Sequence, residues 1–135
     1  MRWTDGRAII ATGSPFAPVD FAGLRFSIAQ CNNVYIFPAV GLGLIASRAR
    51  RVTDRMMMAA GRALGENSPA LSDSTAALLP SLKDLRTIAR HIAFAVGGEA
   101  QHAGVAQPTS PEELRHRIAA TQWTPEYPHL VEAKP

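Results

Sequence analysis

The sequence contains a single cysteine, few aromatic residues and no apolar run long enough to cross a bilayer. Because Cys31 has no partner in its own chain, an internal disulfide is excluded, and a reducing compartment fits this cysteine usage. The longest apolar run, Val34 to Ala46, is shorter than the roughly 20 residues of a spanning helix, and Pro38 interrupts it. No apolar leader segment opens the sequence. We therefore expect a cytoplasmic protein without a membrane partner.

No strong excess of charge of either sign is present, since 19% of the 135 residues are charged, which is ordinary, and the formal net charge is +3. The one basic cluster, Arg48 to Arg51, favours the carboxyl end of a helix, where cations are stabilised by the helix dipole. No aromatic residues are interleaved with it, so we expect no nucleic-acid partner. The apolar content of 47% is ordinary for a globular domain with one core.

The amino-terminal part predicts extended structure. Arg7 to Ala11 is a short run without alternation, which is typical of a strand buried on both faces in a parallel sheet. Val19 to Ile28 predicts two short strands around Ala22-Gly23, in a loose hairpin.

The rest of the chain predicts four helices, from apolar spacing and from capping residues. Pro38 conflicts with the first of them, because proline inside a helix costs about 3 kcal/mol, so this helix either starts near Phe37 or is kinked there. In the second, Met57, Ala60 and Leu64 are expected on one face. The predicted helices are 33–48, capped by Asn32 or Asn33; 53–65, capped by Thr53 or Asp54; 82–102; and one opened by Ser110-Pro111, with Leu114 and Ile118 inward.

These elements predict an α/β fold that is predominantly helical, with one parallel strand followed by about four helices. A single strand cannot form a sheet, because its backbone groups need partners on both sides. We therefore interpret the chain as part of something larger. The carboxyl-terminal tail, from Trp123, holds three prolines and is expected to be irregular.

Four features are candidates for a functional site. Asn32-Asn33 offers uncharged donors and acceptors, either to a ligand or as a helix cap. Gly13-Ser14 follows the predicted strand, where α/β folds place ligands, or is a plain turn. Gly41 to Ala46 matches a dinucleotide fingerprint but falls inside a predicted helix and lacks the acidic residue that should follow, so we reject it. The four histidines lack metal-ligand spacing, and His91 is expected to be packed in the interior.

Several of these segments together resemble the carboxyl-terminal part of bacterial NAD(P)-dependent malic enzymes. The resemblance runs from about Trp3 to Tyr127. Its segments occur in family order: Ala11 to Phe16, Gln30 to Pro38, Arg51 to Asp54, Leu79-Pro80, Ala93 to Val96 and Trp123 to Tyr127.

The resemblance implies a fold and a set of binding residues. Residues 1–105 would be the carboxyl-terminal part of a Rossmann-type NAD-binding domain, and 106–135 a terminal helix and tail. Asn32 matches the family position that contacts the malate carboxylate, and Asn33 the position beside it. Gly13 and Ser14 match the loop near the nicotinamide end of the cofactor.

The resemblance also implies an activity, the oxidative decarboxylation of malate to pyruvate with hydride transfer to NAD or NADP. In the family, Mg²⁺ or Mn²⁺ acts as a Lewis acid. The family's acid, base and metal ligands precede this segment, so no catalytic residue or metal ligand maps onto it, and we expect the isolated chain to be inactive. Its partners would be malate or pyruvate and the remainder of the enzyme, or a second copy of itself. A stand-alone binding or regulatory module and a non-functional remnant are the alternatives.

Overall fold

A computed structural model of the chain describes residues 1–127. Four helices and two short strand pairs are formed within this range, joined by single turns of 3₁₀ helix. The strands are β1 (Ala11–Thr12), β2 (Val19–Phe21), β3 (Leu24–Phe26) and β4 (Ala29–Gln30). The helices are α1 (Phe37–Ser47), α2 (Asp54–Glu66), α3 (Leu85–His102) and α4 (Pro111–Thr121).

The long helix α3 lies at the centre of the core. Its buried residues Ile88, Ile92 and Val96 pack with side chains of α1 and α2, and Ala93 packs on its other side against α4. Leu114 and Ile118 of α4 are buried there, as the helical spacing predicts. The core is therefore a helical one, and the strands lie outside it.

Capping hydrogen bonds explain where two of the helices begin, and a proline explains the start of a third. The side chains of Thr53 and Ser110 accept hydrogen bonds from the backbone N–H groups of Met56 and Glu113, which caps α2 and α4. Pro38 lies in the first turn of α1, where a missing N–H breaks no helical hydrogen bond. Of the two possibilities that the sequence leaves for this proline, a helix start at Phe37 is confirmed.

The parallel strand is displaced from its predicted position. Arg7 to Ala11 was expected to be a buried strand, but only Ala11 belongs to β1, and the side chain of Ile9 is 67% exposed. β1 pairs in parallel with β4, with Ala11 opposite Ala29 and Thr12 opposite Gln30. The residues before Ala11 have no strand beside them within the described chain, so nothing holds them extended.

The predicted hairpin is confirmed. β2 and β3 pair antiparallel, with Val19 opposite Phe26 and Phe21 opposite Leu24. The two turn residues, Ala22 and Gly23, both have positive φ, which matches the twist of a two-residue hairpin.

The predicted face of α2 is wrong by one residue. Met56 is fully buried, whereas Met57 is 45% exposed. Ala60 is buried as expected, and Ala63 rather than Leu64 completes the buried stripe. The three consecutive methionines have identical side chains, so residue type does not determine which of them faces inward. The docking of α2 against α3 determines it.

Trp123 to Tyr127 form neither helix nor strand, as expected, and the rest of the tail lies outside the described residues. Within residues 1–127, none of the helices has both the length and the apolar character needed to span a membrane.

Candidate functional site

The parallel pairing of β1 and β4 brings together the two segments that the sequence singles out. In a parallel pair, both strands end on the same edge. The Gly13-Ser14 loop therefore leaves β1 beside the point where Cys31-Asn32 leaves β4. A backbone hydrogen bond from Cys31 N–H to the carbonyl oxygen of Thr12, 2.8 Å long, continues the pairing beyond the strands.

Two side chains fix the shape of this edge. The amide Nε2 of Gln30 donates to the carbonyl oxygen of Gly13 across the strand pair, at 3.3 Å. The Thr12 hydroxyl donates to the carbonyl oxygen of Ser14, at 2.7 Å, which folds the loop back on its own strand. The loop after β1 is thus tied both to itself and to β4.

The Gly13-Ser14 loop is open to solvent. Both residues are exposed, and a Cβ atom built on Gly13 would have no neighbouring heavy atom within 4 Å. A ligand can therefore approach the backbone of Gly13 closely from outside. The loop is exposed and lies beyond the end of a parallel strand, which is where α/β folds bind ligands.

Asn32 acts as a helix cap and retains a donor. Its Oδ1 accepts a hydrogen bond from Val34 N–H at 3.0 Å, which caps the single 3₁₀ turn Asn33–Tyr35. Its Nδ2 group has no hydrogen-bond partner within residues 1–127, and the side chain is exposed. The capping interpretation and the ligand interpretation are therefore compatible, because they use different atoms of one amide. The Asn33 side chain is also exposed.

Tyr35 anchors the 3₁₀ turn below the two asparagines. Its side chain is 3% exposed, and its hydroxyl donates to the carbonyl oxygen of Pro80 at 2.6 Å. Burial raises the pKa of the Tyr35 phenol above its ordinary value, and the nearby Cys31 thiol raises it further. The phenol is a fixed hydrogen-bond donor and holds the turn against the segment that precedes α3.

The rejected dinucleotide fingerprint lies inside α1, which confirms the rejection. Gly43 faces α3 so closely that a Cβ atom on it would lie 2.7 Å from the carbonyl oxygen of Ala93. Gly43 therefore serves the close packing of α1 against α3.

The histidines and acids do not form a metal site in the described part of the chain. No group of three or more potential His, Cys, Asp or Glu ligands occurs among residues 1–127. The expectation that His91 is packed in the interior is wrong. It is exposed on α3, and its Nδ1 lies 3.4 Å from Oδ1 of Asn67. Among residues 1–127, the side chains present therefore do not fit a divalent cation.

Sequence reasoning missed two residues of this edge, Thr12 and Gln30. Both act through long-range or folded-back hydrogen bonds to carbonyl oxygens. The only sequence signal for Gln30 is its position directly before Cys31-Asn32, and a single sequence does not reveal that its partner is Gly13, 17 residues away.

Comparison with known proteins gives consistent matches. Residues 1–101 match the family model described as malic enzyme, NAD binding domain. The NAD-dependent malic enzymes of Edwardsiella ictaluri and Pseudomonas savastanoi pv. phaseolicola are 54% and 53% identical to the chain over 127 residues, 94% of its length. The chain covers only 22% and 23% of these two proteins, so it spans less than a quarter of the relatives it matches.

Solved structures show the same similarity. The crystal structures of malic enzymes from Pyrococcus horikoshii and Entamoeba histolytica superpose with TM-scores of 0.62 and 0.63. Their sequence identities to this chain are 27% and 28%, and each match covers 84% of this chain and 23% of the other. The helix-rich architecture with a small parallel sheet is therefore that of part of a Rossmann-type domain.

Proposed function

Because the chain belongs to the malic enzyme NAD-binding domain family, we propose that it forms part of an NAD-dependent malic enzyme, which converts malate to pyruvate. The observation that supports this most directly is the β1–β4 pairing, which sets Asn32 and the Gly13-Ser14 loop on one edge. Substrate and cofactor must meet for hydride transfer, and this edge offers a contact to each. Residues 1–105 would form the end of the NAD-binding domain, and 106–135 a terminal helix and tail.

Asn32 binds a carboxylate of malate in this proposal. Its Oδ1 is held by Val34 N–H, which fixes the side-chain plane, and Nδ2 then points a donor outward. A neutral amide donor binds a carboxylate without adding a group that titrates. Asn33, beside it and exposed, contributes to the same subsite.

Gly13 and Ser14 contact the nicotinamide end of the cofactor. NAD, when bound, supplies the hydride-accepting chemistry. Gly13 contributes the close approach of its backbone, and Ser14 a hydroxyl donor. Gln30 holds the Gly13 carbonyl oxygen in place and so couples the cofactor loop to the strand that carries Asn32.

The catalytic acid, the catalytic base and the metal ligands would come from other parts of the proposed enzyme. Residues 1–127 contain no cluster of three potential metal ligands, so a metal ion would be held by other parts of the enzyme. We expect no turnover from the isolated chain, because binding contacts cannot replace proton transfer. A cytoplasmic location stays a prediction from the cysteine usage.

The proposal is tested in a chimera. The matching segment of the Edwardsiella ictaluri enzyme is replaced by this chain, and malate-dependent NAD reduction is followed with Mn²⁺ present. We expect an active chimera in which Asn32→Ala lowers kcat/KM for malate by about tenfold or more, because one hydrogen bond to a charged ligand is lost, while KM for NAD changes little.

Gln107→Ala is the matched control, since it removes an exposed amide far along the chain from both loops. It should leave both constants unchanged. A folded chimera without activity would refute the proposed function. An Asn32→Ala variant with an altered KM for NAD and normal malate dependence would refute the assignment of Asn32.

A further inference from the structure

A cavity of the described chain lies away from the β1–β4 edge. It has a volume of about 690 Å³, is partly open to solvent, and is bordered by the end of α2, the middle of α3 and one side of α4. None of its lining residues belongs to the strands or to the two loops discussed above. It is within the size range of ligand pockets, roughly 300–1,000 Å³.

The walls of this cavity are mainly apolar. Ala63, Phe94, Ala95 and Ile118 contribute side chains from three helices. The guanidinium carbon of Arg115 lies 4.4 Å from the centre of the Phe94 ring, in a cation–π contact. This contact positions Arg115 at the wall, so that its N–H groups at the rim are partly ordered before any ligand arrives.

A second arginine, Arg90, is held by a hydrogen bond. Nε of Arg90 donates to Oε1 of Gln122 at 2.5 Å, and Nε2 of Gln122 donates to the carbonyl oxygen of Arg86 at 3.0 Å. Among residues 1–127, the two terminal nitrogens of Arg90 have no hydrogen-bond partner, so they are donors available to a ligand of the cavity that Arg90 lines. Within residues 1–127, the ion pairs are Arg25–Asp20 and Arg117–Glu113, so neither Arg90 nor Arg115 is neutralised by one.

The charges of the lining favour an anion. Two arginines line the cavity, and Glu66 is its only acidic residue. The arginines come from different helices, α3 and α4. A planar fork of N–H donors suits a carboxylate, which accepts two parallel hydrogen bonds.

We propose that this cavity is a second binding site, which takes an organic carboxylate with a flat apolar body, such as an aromatic acid. Its carboxylate binds Arg90 and Arg115, and its body lies against Phe94, Ala95 and Ile118. Malate is a poor match, because it is small, polar throughout and doubly charged, whereas most of this wall is apolar. The site is independent of the proposed malate and NAD contacts and shares no residue with them.

The test is equilibrium dialysis of the 135-residue chain with radiolabelled benzoate, which reads binding in monomers and oligomers alike. We expect saturable binding to one site per chain. Arg90→Gln and Arg115→Gln should each raise Kd about tenfold, which corresponds to the loss of one charge-assisted contact. Benzamide, with the same ring and no charge, should compete at least tenfold less well than benzoate.

Arg117→Gln is the control on the same helix. Its guanidinium pairs with Glu113 and does not line this cavity, so benzoate binding should be unchanged. Absence of saturable binding, equal competition by benzamide, or an equal loss in Arg117→Gln would each overturn the proposal. Circular dichroism of each variant verifies that its helix content is that of the original chain.

Discussion

Gly43 lies where α1 packs closely against α3, and Gly41 provides a comparison within the same helix. A Cβ on Gly43 would lie 2.7 Å from the Ala93 carbonyl oxygen and 3.0 Å from Val96, whereas a Cβ on Gly41 would meet no atom within 4 Å. We expect Gly43→Ala to lower the free energy of unfolding by about 1–3 kcal/mol through overpacking. Gly41→Ala should raise it by up to about 1 kcal/mol through helix propensity.

Urea unfolding followed by circular dichroism measures both glycine variants. A lower free energy of unfolding for Gly43→Ala, together with a higher one for Gly41→Ala, would establish the close contact at Gly43. Equal effects at both positions would contradict it.

Tyr35 is the other residue whose role is decided by one contact. Tyr35→Phe leaves the buried Pro80 carbonyl oxygen without its donor, so we expect a loss of about 1–2 kcal/mol at pH 7. Because the pKa of folded Tyr35 lies above its ordinary value of 10.0, the unfolded chain loses this proton first as pH rises. The phenol's contribution to stability is therefore present below pH 10 and declines above it.

Urea unfolding between pH 7 and 11 tests this sign. The stability deficit of Tyr35→Phe relative to the original chain should shrink above pH 10. A deficit that grows with pH would mean that ionised Tyr35 is stabilised in the folded state.

At the scale of elements, the residue that ends α1 has a backbone conformation that arginine rarely adopts. Arg48, the residue after the last turn of α1, has φ 56° and ψ 40°. Glycine or asparagine usually adopts this left-handed conformation at the end of a helix. We expect Arg48→Gly to raise the free energy of unfolding by about 0.5–1 kcal/mol. The strain energy of a Cβ in the left-handed conformation exceeds the conformational-entropy cost of fixing a glycine there.

Arg48→Ala separates backbone strain from the loss of the guanidinium. It keeps the Cβ and should give no gain in thermal or urea stability. A gain in both variants would show that the charge, and not the backbone, destabilises this end of α1.

At the scale of the whole molecule, apolar surface is left uncovered on α1. Phe37 is 80% exposed and Ile45 67% exposed, on a helix that is apolar almost all round. Helices of that kind are normally buried on every side. We expect the isolated chain to self-associate through this surface, or to require the remainder of the enzyme as its partner.

Size exclusion with light scattering over a range of concentrations tests the association. Ile45→Lys should shift the chain toward monomer, whereas Leu71→Lys, at an equally exposed position outside α1, should not. An original chain that is a monodisperse monomer at all concentrations would contradict the expectation and favour an independent module.

The sequence alone was sufficient for two helix caps and one hairpin, whose partners are close along the chain. Thr53 and Ser110 cap their helices through N–H groups three residues away, and Ala22-Gly23 closes a hairpin between adjacent strands. Such contacts depend on local backbone geometry, so residue type and spacing predict them. The family resemblance likewise came from short segments in order, and the comparisons confirm it.

Only the tertiary structure decided what depends on docking between distant segments. The β1–β4 register joins Thr12 to Gln30, and without it the neighbourhood of Gly13 and Asn32 is unknown. The inward position of Met56, the exposure of His91 and the cavity beside Arg90 all follow from how α2, α3 and α4 pack. Helical periodicity repeats every 3.6 residues and defines a stripe, but the partner surface fixes which residue of the stripe is buried.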